Sequence, residues 1–353
     1  MANTHVQTTV ISTRIRLARN FAAYPFPKKM DEAQAEDIVH LVGEGLKRFR
    51  MFTKYEVNAI TRQQAALLKE QYLISPALLK SKRGAAFLSD DKAVSVMVNE
   101  EDHLRQQCIL KGLDLYGAYE RVSGIDNWLA AIYDFAFDEK LGYLTACPSN
   151  LGTGMRASVM MFLPGLTFNG GLKKILPELK GDGLTVRGAF GEGSASDGWV
   201  YQVSNERTLG VSEMDILESV LSTANRLCEM EKQAREEMTR ASGLEIRDRC
   251  LRAFGTLTHC ALLTEQELFS MLAEVRLGIA LGLFETIDDE GFDEFYNDMH
   301  PATFKISNNL ERVNEKKCNE VRAETACKVL PQLVRLKQKE GKKTAKSGGE
   351  DKK

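Results

Sequence analysis

Apolar and polar positions alternate in some stretches of this chain and recur at helical spacing in others. The runs 83–89 and 94–98, joined by Asp90-Asp91-Lys92, predict two strands and a turn. Further strands are expected at 142–147, 184–190 and 199–204, the last two flanking the Gly-rich loop Gly191–Gly198. Helices fit 31–50, 103–121, 125–138, 155–163 and 212–240. The last opens on a Ser212/Asp215 capping box and carries Leu217, Val220, Leu221, Ala224 and Leu227 on one apolar face. Hairpins mixed with helices predict an α/β (α+β) fold, a largely antiparallel sheet flanked by helices, over residues 1–251. From about Leu251 the strand signal ends. Thr264 and Glu267 open another capped helix, with Leu268, Met271, Leu272, Val275 and Ile279 at helical spacing, and a weaker helix covers 309–337. A small helical domain is therefore expected at 252–336. The polar residues 337–353 are expected to be a disordered tail.

Composition narrows the functional classes. A chain of 353 residues with 43% hydrophobic content can bury a large core, and a formal net charge of −2 excludes a strongly electrostatic nucleic-acid or membrane binder. No apolar run approaches a membrane span and the N-terminus lacks a signal-peptide core, so a cytoplasmic protein is expected. The seven cysteines include no Cys-x-x-Cys pair and the five histidines no His-Glu-x-x-His spacing; no metal site is expected within the protein.

Four segments bring arginines or carboxylates to expected strand or helix ends. In Ser12-Thr-Arg14-Ile-Arg16, an extended backbone would point both arginines to one face. Asn99-Glu-Glu101-Asp-His-Leu-Arg105 follows a strand and is expected to open a helix. Cys147-Pro-Ser-Asn150-Leu-Gly-Thr-Gly-Met-Arg156 reads as a turn leading into a helix near Met155, whose free N–H groups would suit an anion beside a reactive cysteine. Arg187-Gly-Ala-Phe-Gly-Glu192 runs into the Gly-rich loop. Each has an ordinary explanation taken alone: a solvated basic strand edge, acids at a helix start, a structural thiol, a surface ion pair. Together they fit a site that holds a polyphosphate and a cationic acceptor at once.

In this order and spacing the four segments resemble the signatures of the ATP:guanido phosphotransferases, the family of arginine and creatine kinases, over residues 8–250. Within it, the chain resembles the bacterial protein-arginine kinases of the McsB type. The first signature stands at residue 12, leaving no room for the helical N-terminal domain of metabolite kinases. Tyr72-Leu-Ile-Ser-Pro76, Gly191-Glu-Gly-Ser and Glu274-Val-Arg-Leu-Gly-Ile-Ala-Leu-Gly also look like that subgroup.

The resemblance implies transfer of the γ-phosphoryl group of ATP, with Mg2+ held through the nucleotide phosphates, to an arginine guanidinium in a protein. Matched residue by residue, Arg14, Arg16, Arg105, Arg156 and Arg187 would cradle the phosphates, with Ser12 and Asn150 beside the nucleotide. Tyr72 stands where the family commonly has a histidine near the adenine. Glu101 would be the base, Glu192 the second carboxylate on the loop, and Cys147 a thiolate facing the acceptor. The protein kinases also carry an Arg-Asp-x-x-Arg-Ala motif that binds phosphoarginine. Here the matching stretch is Cys318-Asn319-Glu320-Val321-Arg322-Ala323, which keeps only its second half. A homodimer through the C-terminal domain and an activator protein are the implied partners, with no nucleic acid or membrane. A kinase for free arginine and a catalytically silent nucleotide-binding adaptor are the competing functions.

Overall fold

The computed structural model describes residues 4–188, 197–288 and 290–337. Its strands are β1 (Val10–Arg19), β2 (Phe52–Glu56), β3 (Ala85–Ser89), β4 (Val94–Val98), β5 (Leu104–Lys111), the two-residue pair β6 (Phe137–Asp138) and β7 (Gly142–Tyr143), then β8 (Met155–Phe162), β9 (Leu184–Gly188) and β10 (Val200–Asn205). All but β6 and β7 form one antiparallel sheet in the order β2-β3-β4-β5-β1-β8-β10-β9. The expected α/β fold on an antiparallel sheet is present.

One face of this sheet is the core. Ile15, Leu17, Cys108, Ala157, Val159, Met161 and Val203 point into a cluster completed by the helices α2 (Glu32–Phe49) and α4 (Leu115–Ala130) and the first half of α7 (Glu213–His259). The short helices α1 (Thr4–Thr9), α5 (Pro164–Phe168) and α6 (Gly171–Gly181) lie around its margin, and α3 (Arg62–Glu70) shields β3 and β4 from the other side. Side chains alternate across a strand, so the residues between those core positions line the opposite face. That face carries the arginines.

Two expected helices are strands. Residues 103–121 contain β5 and only the start of α4, which Asp114 caps by accepting from Gly117 N; α4 also replaces the helix expected at 125–138. Residues 155–163 are β8. Both strands flank β1 and contain helix-compatible Leu, Met, Ala and Gln, but inter-strand hydrogen bonds and burial outweigh that local preference. The run 142–147 is strand only at Gly142–Tyr143. Strand β9 ends at Gly188; residues 189–196, which hold the end of the expected strand and most of the expected loop, Glu192 among them, lie outside the described residues, and the end of that loop falls in a 3-10 segment, Asp197–Trp199.

Helix α7 keeps its Ser212/Asp215 capping box but continues well past residue 240, bending at Ser242 (φ −144°, ψ 36°). The expected domain boundary after residue 251 falls inside it. Beyond lie α8 (Glu265–Ala280), with the Thr264/Glu267 capping box, strand β11 (Phe284–Thr286), α9 (Gly291–Asp298), α10 (Pro301–Ser307), α11 (Glu315–Leu333) and strand β12 (Val334–Leu336), which pairs with β11. Their own core includes Leu257, Leu268, Leu272, Val275, Phe304 and Leu330. Met271 and Ile279, both partly buried, pack against that same core, so part of the apolar face of α8 is covered within the subunit. No helix among the described residues is long and apolar enough to cross a membrane.

Candidate active site

The pairing register settles where the arginines go. On β1, Arg16 stands opposite Arg156 of β8 and Gln107 of β5, while Arg14 stands opposite Ser158 and Ile109. Arg105 lies two residues from Gln107 on β5 and shares its face. Ser12 is opposite Met160, Met160 opposite Gln202 of β10, and Gln202 opposite Arg187 of β9. Ser12, Arg14, Arg16, Arg105, Arg156 and Arg187 therefore share the sheet face turned away from the helical core.

These cations feel one another. Burial, then Arg105, pushes the Arg14 guanidinium down to about 9. Arg16 is pushed well down by burial, with Arg14, Arg105 and Arg156 adding, and its Nε is buried without a partner. Burial and then Arg187 lower Arg156. Arg14 and Arg156 are held in place by neutral polar groups. Gln107 Oε1 accepts from Arg14 Nε (3.1 Å), and its Nε2 donates to the Tyr72 carbonyl at 2.6 Å. Arg156 Nε donates to the Asn205 carbonyl at 3.3 Å. A guanidinium array of this kind calls for a polyanion.

The two adjacent glutamates of the β4–β5 hairpin have different roles. Glu100 is 2% exposed in its side chain and binds Arg105 Nη1 at 2.5 Å; its carboxylate also accepts from Ser75 Oγ and from Glu101 N. Glu101 has no side-chain hydrogen bond among the described residues, leaving its carboxylate available. The segment is a hairpin, not the helix opening expected from sequence, so its acids are not helix-capping groups. Asn99, at φ 59°, turns the chain while its side chain donates to the carbonyls of Ala35 and Arg83.

Cys147 lies on a second turn that faces this hairpin. One buried carboxylate stitches the two together: Asp102 Oδ1 accepts from Ala146 N at 2.6 Å and from Asn20 Nδ2 at 2.7 Å. Glu101 and Cys147 thus sit one residue to either side of a single hydrogen bond. The turn continues through a 3-10 segment, Pro148–Asn150, where Asn150 N donates to the Cys147 carbonyl at 2.9 Å. Gly152 (φ 109°) and Gly154 (φ 62°) let it run against the chain: a Cβ on Gly152 would meet the Thr208 carbonyl at 2.2 Å, and one on Gly154 the Ala18 carbonyl at 2.6 Å. The chain then enters a strand. The expected helix N-terminus is absent, and a cation within electrostatic reach of Cys147 is the strand-borne Arg156. Cys147 Sγ lies 3.1 Å from Ser149 Oγ.

At the other end of the arginine row, Ser12 and Tyr72 line a cleft of about 540 Å³ with Met160, Ile109 and residues of α8, α9 and α10. Tyr72 is 48% exposed at φ 57°, a left-handed conformation that bulky side chains seldom adopt and that often marks a ligand-facing position. Glu100, Asp102, Gln107 and the C-terminal wall of this cleft were not singled out from sequence. Gln107 could have been, since it follows Arg105 at strand spacing, but only under the strand reading. The altered motif at 318–323 is packed inside the C-terminal unit: Arg322 is fully buried, donates to Asn319 Oδ1 (2.6 Å) and the Leu263 carbonyl (2.9 Å), and lies over the Phe304 ring.

Residues 34–234 match the family model described as ATP:guanido phosphotransferase, C-terminal catalytic domain, and residues 243–342 match the protein-arginine kinase McsB C-terminal domain. A protein-arginine kinase of Caldanaerobacter subterraneus subsp. tengcongensis is 42% identical over 302 residues, 84% of this chain and 89% of that protein. One of Bacillus velezensis is 41% identical over 290 residues, covering 81% and 80%. Among solved structures, lombricine kinase superposes with a TM-score of 0.58 at 25% identity, over 64% of this chain and 67% of that one. The substrate-free duplicated taurocyamine kinase of Schistosoma mansoni gives 0.57 at 28% identity, over 65% of this chain and 35% of that longer one.

Proposed function

The chain belongs to the ATP:guanido phosphotransferase family, and on that premise we propose that it moves the γ-phosphoryl group of ATP onto a guanidinium nitrogen of arginine residues in proteins. The observation that carries the proposal is the single-faced row of arginines ending at the Glu101–Cys147 junction. Nucleotide phosphates would lie along Arg14, Arg16, Arg105, Arg156 and Arg187, where the partnerless Nε of Arg16 and the mutual repulsion of the cluster favour an anion. Magnesium bound to those phosphates would neutralise charge on the transferring group. Among the described residues no cluster of three or more His, Cys, Asp or Glu is arranged to hold a metal itself.

The acceptor guanidinium would pair with Glu101. A guanidinium is too weak an acid to give up its proton in the ground state, so proton loss to the carboxylate accompanies P–N bond formation as the bond to the departing ADP breaks. No covalent enzyme intermediate is needed. Positioning and fixed charge would do most of the work, with the Cys147 sulfur facing the acceptor and Glu192 as the second carboxylate.

A protein acceptor is supported by relatives about 42% identical that are named protein-arginine kinases and by the C-terminal model of that subgroup. We assign the transfer to residues 1–251 and regulation or dimerisation to 252–336. The deciding experiment supplies Mg-ATP with either free arginine or an unfolded protein and seeks acid-labile phosphate on arginine by mass spectrometry. Transfer to free arginine alone would replace this function with phosphagen synthesis, and no transfer to either would favour a silent adaptor. A second copy of the chain and an activator protein are expected from the family. A light-scattering mass near one 39.4 kDa chain would count against the dimer.

A further inference from the structure

The cleft at the Ser12 end of the arginine row has a far wall built by the C-terminal helices, beyond residue 234 where the match to the catalytic-domain model stops. The site has a direction along β1. Its Ala18 end adjoins the Gly154 carbonyl (Ala18 N to O, 2.9 Å) and, through Asn20 and Asp102, the Glu101–Cys147 junction where transfer would occur. Successive same-face residues on a strand are roughly 7 Å apart, so Ser12 lies roughly 13 Å from Arg16, on the side away from that junction. A nucleotide whose γ-phosphate meets the acceptor therefore carries its nucleoside into the cleft. A volume of about 540 Å³ suits a ligand of that size.

Tyr296 on α9 is the central aromatic of the far wall, and its plane is fixed before any ligand arrives. It packs edge-on against Phe269 (centroids 5.1 Å, 67°) and His300 (5.6 Å, 82°). The Arg276 guanidinium sits 5.4 Å from its ring and is itself anchored by Asp293 at 2.7 Å. Tyr72 and Tyr296 both line the cleft and lie within electrostatic reach of each other. Glu70, two residues before Tyr72, ties α10 to the Tyr72 segment: its carboxylate accepts from Ala302 N and Thr303 N, both at 2.9 Å or less.

We propose that the aromatic base of ATP is held between Tyr72 and Tyr296, so that the C-terminal helical unit supplies a base-binding residue to the transfer site. The proposal rests on the phosphotransfer function and adds a residue that the catalytic-domain match does not contain. Arg276 and His300 position the Tyr296 ring.

The test compares ATP with inorganic tripolyphosphate, which offers the arginines an anion but no base, in calorimetric titrations of the full chain. Tyr296→Ala is expected to weaken ATP by about tenfold, the scale of one base–aromatic stack, and to leave tripolyphosphate unchanged. Tyr296→Phe keeps the ring and should bind both like the wild type. Unchanged ATP affinity in Tyr296→Ala, equal losses for both ligands, or an ATP-specific loss in Tyr296→Phe would each overturn the stacking role. A wild-type chain that binds neither ligand would instead overturn the phosphotransfer function beneath it.

Discussion

Asp102 offers the sharpest perturbation of the transfer site, because it holds two turns together without facing the reaction. It is 2% exposed, and Asp102→Ala leaves Ala146 N without a partner while Asn20 keeps the Leu144 carbonyl (3.0 Å) and His103 N (2.9 Å). One charge-assisted bond lost outright and one lost in part should destabilise the fold by about 2–4 kcal/mol. Partly offsetting this, burial raises the Asp102 carboxyl, helped by Glu101 and Glu100. A carboxyl whose folded pKa is raised gives stability that is complete below the ordinary carboxylate range and lost as pH rises through the folded value. Asp102→Asn retains an acceptor oxygen and no charge, so it should lie within about 1 kcal/mol of wild type and lack that pH slope. The catalytic effect follows from geometry. Freeing the hairpin from the turn lets Glu101 and Cys147 drift by an ångström, worth about 10²-fold in kcat, while the strand-borne arginines hold ATP as before. Urea denaturation across pH, ATP titration and steady-state transfer measure the three quantities. A kcat near wild type in a folded Asp102→Ala chain would refute the stitching role, as would losses of ATP affinity and kcat in equal proportion.

The adjacent glutamates should separate cleanly. Glu101→Gln is expected to lower transfer by roughly 10³-fold with ATP affinity retained, whereas Glu100→Ala, which breaks the Arg105 pair, should lose about 2 kcal/mol of stability and keep more transfer than the Glu101 variant. Steady-state kinetics beside denaturation curves distinguish them. Tripolyphosphate should raise the melting temperature by relieving repulsion among Arg14, Arg16, Arg105 and Arg156, by an amount equivalent to about 2.7 kcal/mol at a hundredfold excess over Kd. The shift should shrink in high salt; no shift at low salt would count against the array as a polyanion cradle. Glu70→Ala removes the acceptor of the Ala302 and Thr303 amides and should speed their hydrogen exchange by about tenfold, from roughly 1.4 kcal/mol of lost protection. Exchange unchanged at those two amides would mean the α3–α10 tie is idle in solution.

Legibility in the sequence followed how local each signal was. The capping boxes at Ser212 and Thr264 are written in four consecutive residues, and both helices begin where expected. The β3–β4 hairpin was readable from its turn, and Arg14 with Arg16 on one face needed only the two-residue period. Strands β5 and β8 were not readable. On β5, Gln106 faces the core and bonds Asp126, so a polar residue interrupts the apolar face; on β8, Met160 places an apolar residue among the site positions. In both, one side of the strand pairs with β1, a partner roughly a hundred or more residues distant, while the other side pairs with β4 or β10. Glu100 and Glu101 look alike in sequence, and only Arg105 and Ser75 packed around one of them tells them apart.

The strand identity of those two segments changes what the arginines are. On helix starts, Arg105 and Arg156 would have stood beside the positive ends of helix dipoles, with no register to fix them. On β5 and β8 they flank β1 and are locked by its register to Arg14 and Arg16, with strands about 4.8 Å apart. Such an array cannot spread to reduce its own repulsion, so the fold itself holds the cations in the arrangement a triphosphate would neutralise. The acceptor side is built differently, from two turns. In the proposed reaction the nucleotide half is rigid, and the half that receives a guanidinium is joined directly by Asp102 and, through Leu144 and His103, by Asn20. That division places the sensitivity of kcat at Asp102 and the sensitivity of ATP affinity on the sheet and, through Tyr296, on the C-terminal helices.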